Sequence, residues 1–208
     1  VEVFVNLVEW FTLLAVCTLG AVSPGPSLLV VVNQALNGSR VHGLLTAISH
    51  GLMVGGWALL TVIGLSQLLA RLPWIEVGLT VVAALYLLNM ARGAWQGGSM
   101  QIAPEERAKT SYWQAIRDGA VIATFNPKLM LFFIAIFAPF VGSESTTEAQ
   151  ALLVVTPWMT DTLWYIIVAL LLSTRKSLAL LAKHEQRINR GMAIALTFLA
   201  SVMLSGLL

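Results

Sequence analysis

Charge is scarce in this sequence. Of 208 residues, 11% are charged and 58% are hydrophobic, and the mean hydropathy is +0.83. A soluble domain carries about 25% charged residues, so a water-soluble core is a poor explanation of the chain. The net charge of +2 says little, and no nucleic-acid partner is expected. Cysteine is nearly absent too. Cys17 alone cannot form an intramolecular disulfide, a CxxC redox pair or a cysteine zinc site, and it reads as a small apolar residue packed in the first helix. The three histidines, His42, His50 and His184, are scattered, so no metal site is expected. An intramembrane serine hydrolase would need a serine–histidine pair, commonly with a GxSxG-like turn, and that pattern is missing; no cofactor and no enzyme activity are expected. The first charges are Glu2 and Glu9, with no basic stretch before the apolar run and no persuasive cleavage site, so the first apolar segment is expected to be retained.

Long apolar runs separated by short charged loops are present instead. They predict an all-α polytopic membrane protein with six spans, at 4–36, 43–70, 74–91, 120–141, 150–173 and 191–208. The loops fix a direction. Arg40 lies in 37–42; Arg92, Arg107, Lys109 and Arg117 in 92–119; Arg175, Lys176, Lys183, Arg187 and Arg190 in 174–190. The opposite set holds Arg71 alone among acidic residues. The positive-inside rule puts the basic loops in the cytoplasm and both termini outside. No loop is long enough for a folded extramembrane domain. The expectation is one domain, 1–208, with halves 1–91 and 120–208 joined by a cytoplasmic linker, 92–119, that carries a short amphipathic piece around Ser111–Arg117.

Three spans on each side of that linker make the second half enter from the opposite face, which is the geometry of a 3+3 inverted repeat. The first helix of each half is interrupted by proline: Pro24, Gly25 and Pro26 in one, Asn126, Pro127 and Lys128 in the other. A broken helix exposes N–H groups at one half and C=O groups at the other, and the N-terminal half can hold a carboxylate. Polar residues inside apolar runs are the other signal. Asp161 in TPWMTDTLWYIIV and Lys128 each cost about 2.5–3.5 kcal/mol at a helix centre unless paired or hydrated. Asp161 can hold an ammonium or carry a coupling proton, and Lys128 can hold a carboxylate; a Lys128–Asp161 ion pair would serve structure instead. His50 can relay protons or be hydrogen-bonded filler. Asn33 and Gln34 can line a site or bond between helices. Trp164, three residues after Asp161, shares its face. Gly43, Ala47, Gly51 and Gly55 form a small-residue stripe on which helix one is expected to pack, and which can equally serve a homodimer.

With these residues quoted, the sequence resembles the LysE/RhtB family of bacterial amino-acid exporters, in its homoserine/threonine-type branch, from about Trp10 to Ser205. The resemblance is carried by Pro24–Gly25–Pro26, the glycines 43, 51 and 55, AlaLeuTyrLeuLeu at 84–88, Asn126–Pro127–Lys128 with LeuPhePhe at 131–133, and Asp161 with Trp164. It implies a secondary transporter in the bacterial cytoplasmic membrane, exporting amino acids or close derivatives by proton antiport and alternating access. The substrate carboxylate would meet half-helix N–H groups or Lys128, and its ammonium Asp161 or exposed carbonyls. A proton on Asp161 or His50 would reset the carrier. The alternative is export of a metal or other small cation on a related six-helix scaffold. Ser27 stands where many members have Asn, and His50 where a small residue is commoner, which leaves the substrate open.

Overall fold

The computed structural model describes residues 7–23, 25–72, 74–97, 110–126, 129–130, 132–133, 137, 146–171 and 174–205. Among them there are seven continuous helices and no strands: α1 (Leu7–Val22), α2 (Pro26–Asn37), α3 (Arg40–Arg71), α4 (Ile75–Gln96), α5 (Tyr112–Thr124), α6 (Thr147–Leu171) and α7 (Arg175–Ser205).

Local chemistry sets their ends. Pro26 opens α2, where its missing N–H costs nothing and its ring already fixes the helical φ. Gly97 closes α4 in the left-handed region, at φ 65°, a conformation glycine adopts without steric penalty. Ser111 caps α5 by accepting a hydrogen bond from the Gln114 N–H at 3.1 Å. Ser111→Ala is therefore expected to lose about 1 kcal/mol, seen as faster amide hydrogen exchange in the first turn of α5. Within the helices, Thr61, Ser66, Thr124, Thr162, Thr197 and Ser201 each donate to the carbonyl four residues back. A hydroxyl satisfied by its own helix can face lipid without an unmet polar group.

Among the described residues, four helical stretches are long and apolar enough to cross a membrane: Arg40–Leu69, Val77–Gln96, Thr147–Leu171 and Gln186–Ser205. Trp10–Val22 and Pro26–Asn37, bent by 58° at the break between them, count as a fifth when taken as one broken span. The predicted fourth span, 120–141, lies largely outside the described residues. Leu60, Leu171, Ile194 and Phe198 all point outward with more than 60% of their surface exposed, as lipid-facing side chains do.

Helix boundaries differ from the sequence expectations in three places, the first being α4, which runs on to Gln96 instead of ending at 91. The amphipathic piece at Ser111–Arg117 is continuous with the start of the fourth predicted span, so α5 begins at Tyr112 and the linker is shorter than 92–119. The basic stretch 174–190 is not a loop but the first half of α7. Lys, Arg, Ala and Leu are good helix formers, and charge marks where a helix leaves the apolar layer rather than where it ends.

The helices pair as α3 with α6, α3 with α5, α4 with α7, and α1 with α6, while α2 lies against α3, α5 and α6. The small-residue stripe of α3 divides between the expected partner and α6. Gly43, through Ala35, and Ala47, in the cluster of Leu28, Val31 and Val32, meet the first broken span, while Gly51 faces Thr162 and Gly55 faces Trp158 on α6. Side-chain size explains this. Thr162 and Trp158 fill the shallow groove left by glycine, which a second small-residue helix would leave empty.

Candidate functional site

α2 and α5 lie side by side and each ends at a break in the chain. At the start of α2, Gly25 is extended and supplies no side-chain cap. At the end of α5, Phe125 closes the helix by bonding back to Val121, and the Asn126 carbonyl accepts from the N–H groups of Leu129 and Met130. The two breaks meet. Asn126 Nδ2 donates to Ser27 Oγ at 3.2 Å, with both side chains buried. The buried Tyr165 of α6 lies close to Ser27. Half-helix ends and buried polar side chains from three elements thus converge at one point.

Next to it lies a buried ion-pair geometry. His50 Nδ1 and Asp161 Oδ2 are 2.8 Å apart, and their side chains are 0% and 8% exposed. An ionised carboxylate only accepts, so the ring nitrogen donates. The His50 ring stands edge-on to Tyr165, with centroids 4.8 Å apart. Cys17 on α1 is within electrostatic reach of the Asp161 carboxylate. The other ring nitrogen, His50 Nε2, is buried and has no hydrogen-bond partner among the described residues. Buried polar atoms are paired in about 90% of cases or more. With Nδ1 donating, Nε2 of the neutral ring is left as an acceptor.

A second polar contact joins α2 to α5 toward the Asn37 end of α2. Gln34 Nε2 donates to Asp118 Oδ2 at 2.8 Å. Beside it is a cavity of about 270 Å³ whose walls include Asn33. Another cavity, of about 610 Å³, lies between α4 and α7. Its walls are largely apolar, and none of its polar lining residues, Arg92, Gln96 and Thr197, is buried, so the site is placed at α2, α3, α5 and α6. Among the described residues, no group of three His, Cys, Asp or Glu side chains could hold a metal ion.

A family model described as LysE type translocator matches residues 18–206. The chain belongs to the LysE family. As a member it is a membrane translocator and not an enzyme. It is similar to the threonine efflux protein of Escherichia coli K12, at 30% identity over 78% of this chain and 81% of the relative. It is also similar to the threonine efflux protein of Salmonella typhi, at 25% identity over 82% and 84%, and to the uncharacterised membrane protein YahN of Escherichia coli K12, at 28% identity over 81% and 74%. No solved structure matches the chain.

In this LysE-family chain the residues singled out from sequence distribute as follows. Gly25 and Pro26 form the start of α2, while Pro24, Pro127 and Lys128 lie outside the described residues. Asn126, His50 and Asp161 fall within one region, and Asn33 lies in the cavity wall. Trp164 is half-buried against the apolar cluster of Leu28, Val31, Ala47 and Val168, and its indole N–H finds no partner among the described residues. Asp161 takes His50 as its partner. Two residues escaped the sequence reading. Asp118 sits beside Arg117 in a stretch that reads as a basic loop, and Tyr165 is one aromatic in a run of apolar residues. The signal for Asp118 was available: it stands four residues before Ile122 and three after Ala115, on the inward edge of an amphipathic helix.

Proposed function

We propose that the protein exports amino acids or close derivatives from the bacterial cytoplasm by proton antiport, with both termini outside and six spans in a 3+3 inverted repeat. The observation that carries this reading is the buried His50–Asp161 pair, with its unpartnered Nε2, beside the point where the two helix breaks meet. The helix pairing supports the repeat. The first helix of each half packs on the second helix of the other, in α1–α6 and α5–α3, and the like-numbered helices pair in α3–α6 and α4–α7. A two-fold axis in the membrane plane generates that pattern.

Each part has a physical role. The free N–H groups at the start of α2, beside Ser27, attract the substrate carboxylate. Asn126 and Ser27 hold the two breaks together and add hydrogen-bonding groups. A proton from outside occupies His50 Nε2, Asp161 stabilises the resulting imidazolium, and its release to the cytoplasm resets the carrier. The names of the two efflux relatives make threonine and similar hydroxy amino acids the first substrates to test. In proteoliposomes loaded with labelled threonine, homoserine and other amino acids, an imposed pH gradient is expected to accelerate efflux of one or a few. Efflux of none of them from folded, oriented protein would overturn the reading and turn attention to small cations.

A further inference from the structure

The cavity between α2 and α5 is not accounted for by the helix breaks or by the His50–Asp161 pair. It is walled by Val30, Asn33 and Gln34 of α2, by Asp118 and Ile122 of α5, and by Thr110 just before α5. Three polar atoms of these walls, Asn33 Oδ1, Gln34 Oε1 and Thr110 Oγ1, are buried without hydrogen-bond partners among the described residues. A contact that served only to join two helices would satisfy itself. Gln34 does not: it gives Nε2 to Asp118 and leaves its amide oxygen unmet. Asp118 Oδ1 has a long 3.4 Å contact with Arg117, whose side chain is 60% exposed, and such a solvent-exposed pair neutralises little.

The unmet groups are two amide oxygens and a hydroxyl, arranged beside a carboxylate. All of them accept hydrogen bonds. The complementary ligand donates and carries positive charge, and a primary ammonium brings three N–H donors and no acceptor. At about 270 Å³ the cavity is close to the lower bound of about 300 Å³ for small-molecule sites, which suits a single small amino acid. Its carboxylate would be repelled by Asp118 and drawn along α2 toward Ser27. Ser27 and Gln34 are seven residues apart on α2, about 10 Å at 1.5 Å per residue, farther than one α-amino acid reaches between its two charges. The ammonium site and the helix breaks are therefore two stations.

The geometry points to a cytoplasmic loading site in which Asp118, with Asn33 and Gln34, captures the ammonium group of the outgoing amino acid before it moves to the helix breaks. This rests on the exporter reading above, and it adds the recognition step and its residues. The Thr110 backbone forms part of the mouth. His42 Nε2 donates to its carbonyl at 2.8 Å, and the His42 ring lies on Tyr112, so the residue ahead of α5 is held in place.

The test is uptake of labelled L-threonine into inside-out vesicles, whose cytoplasmic face is outward, driven by a pH gradient. Asp118→Asn is expected to raise KM about ten-fold or more, the effect of losing a charge-assisted hydrogen bond, and to leave the maximal rate within two-fold. Asp118→Glu is expected to restore most of the affinity. 3-Hydroxybutyrate, which keeps the carboxylate and hydroxyl of threonine but lacks the ammonium, should compete poorly against wild type, and this discrimination should shrink in Asp118→Asn. Should that variant not fold, Asn33→Leu carries the test, with KM expected to rise at least three-fold. An unchanged KM in these variants, alongside wild-type transport, overturns the loading site and leaves the exporter reading standing. Wild-type vesicles that move no amino acid at all overturn both.

Discussion

Asp161→Asn protein in liposomes is expected to keep exchanging labelled substrate across the membrane while losing its stimulation by a pH gradient. Asparagine has the size of aspartate and retains an oxygen to accept from His50 Nδ1, so the contact at 2.8 Å can persist with both residues neutral. The negative charge is what is lost. Removing one partner of a buried pair leaves the other charge uncompensated, at a cost of about 3–5 kcal/mol. Without that carboxylate, a proton arriving at His50 Nε2 would leave a buried cation with no counter-charge. Nearby titratable groups do not substitute for Asp161. Tyr165 stands edge-on to the His50 ring and Cys17 comes from α1, and neither bears a negative charge in an apolar layer. His50→Gln should reproduce the loss. Counterflow and gradient-driven efflux measured on the same vesicles separate the two functions. Gradient stimulation of wild-type size in Asp161→Asn would remove this pair from coupling.

That experiment depends on a contact the sequence made visible only as two separate residues. Asp161 stands out because a carboxylate inside an apolar run is expensive, and His50 because an imidazole is rare there. Their pairing, across 111 positions, was hidden because lipid-facing and protein-facing sides of these helices are equally apolar. Periodicity, which in a soluble protein tells one helix which face to bury, carries little information here. The same loss of contrast explains why the glycine stripe of α3 was legible as a packing face while its second partner, α6, was not. Breaks are easier to read than faces. Gly25 and Pro26 mark the start of α2 and Asn126 follows the end of α5, because proline and glycine act on the backbone itself. Asp118 was missed for the opposite reason. In a stretch with four basic residues and two glutamates, another carboxylate looks like one more solvated charge, and only the packing of Ala115, Gly119 and Ala123 against the bundle turns it inward.

The packing of α5 is also where a single methyl group is expected to have its largest effect on folding. A Cβ built on Gly119 would collide with the Ser49 hydroxyl and with the backbone carbonyl of Thr46, whose carbon lies 3.0 Å away. A carbonyl in the middle of a helix cannot rotate aside. Thr46 is further fixed because its own hydroxyl bonds to the carbonyls of His42 at 2.9 Å and Ala115 at 3.0 Å, one on each helix. Gly119→Ala must therefore push α5 away from α3, an overpacking cost of about 1–3 kcal/mol. The displaced helix carries Asp118 and leads into Asn126, so transport should fall together with stability. Gly51→Ala meets the Thr162 hydroxyl first, with the Thr162 Cβ at 2.9 Å and its Cα at 3.3 Å behind it. The hydroxyl can turn away at the loss of its 2.7 Å bond to Trp158, and α6 then has to give by only a few tenths of an ångström, which makes the smaller penalty. At Gly56 nothing lies within 4 Å of an added Cβ, and Gly56→Ala should stabilise α3 by up to about 1 kcal/mol through helix propensity alone. Thermal unfolding of the three variants in one detergent tests the order. Gly119→Ala should melt lowest, Gly51→Ala between it and wild type, and Gly56→Ala at or above wild type. A Gly119→Ala protein as stable as wild type would mean that α3 and α5 are not in backbone contact, and that the cavity α5 helps to wall has a different shape.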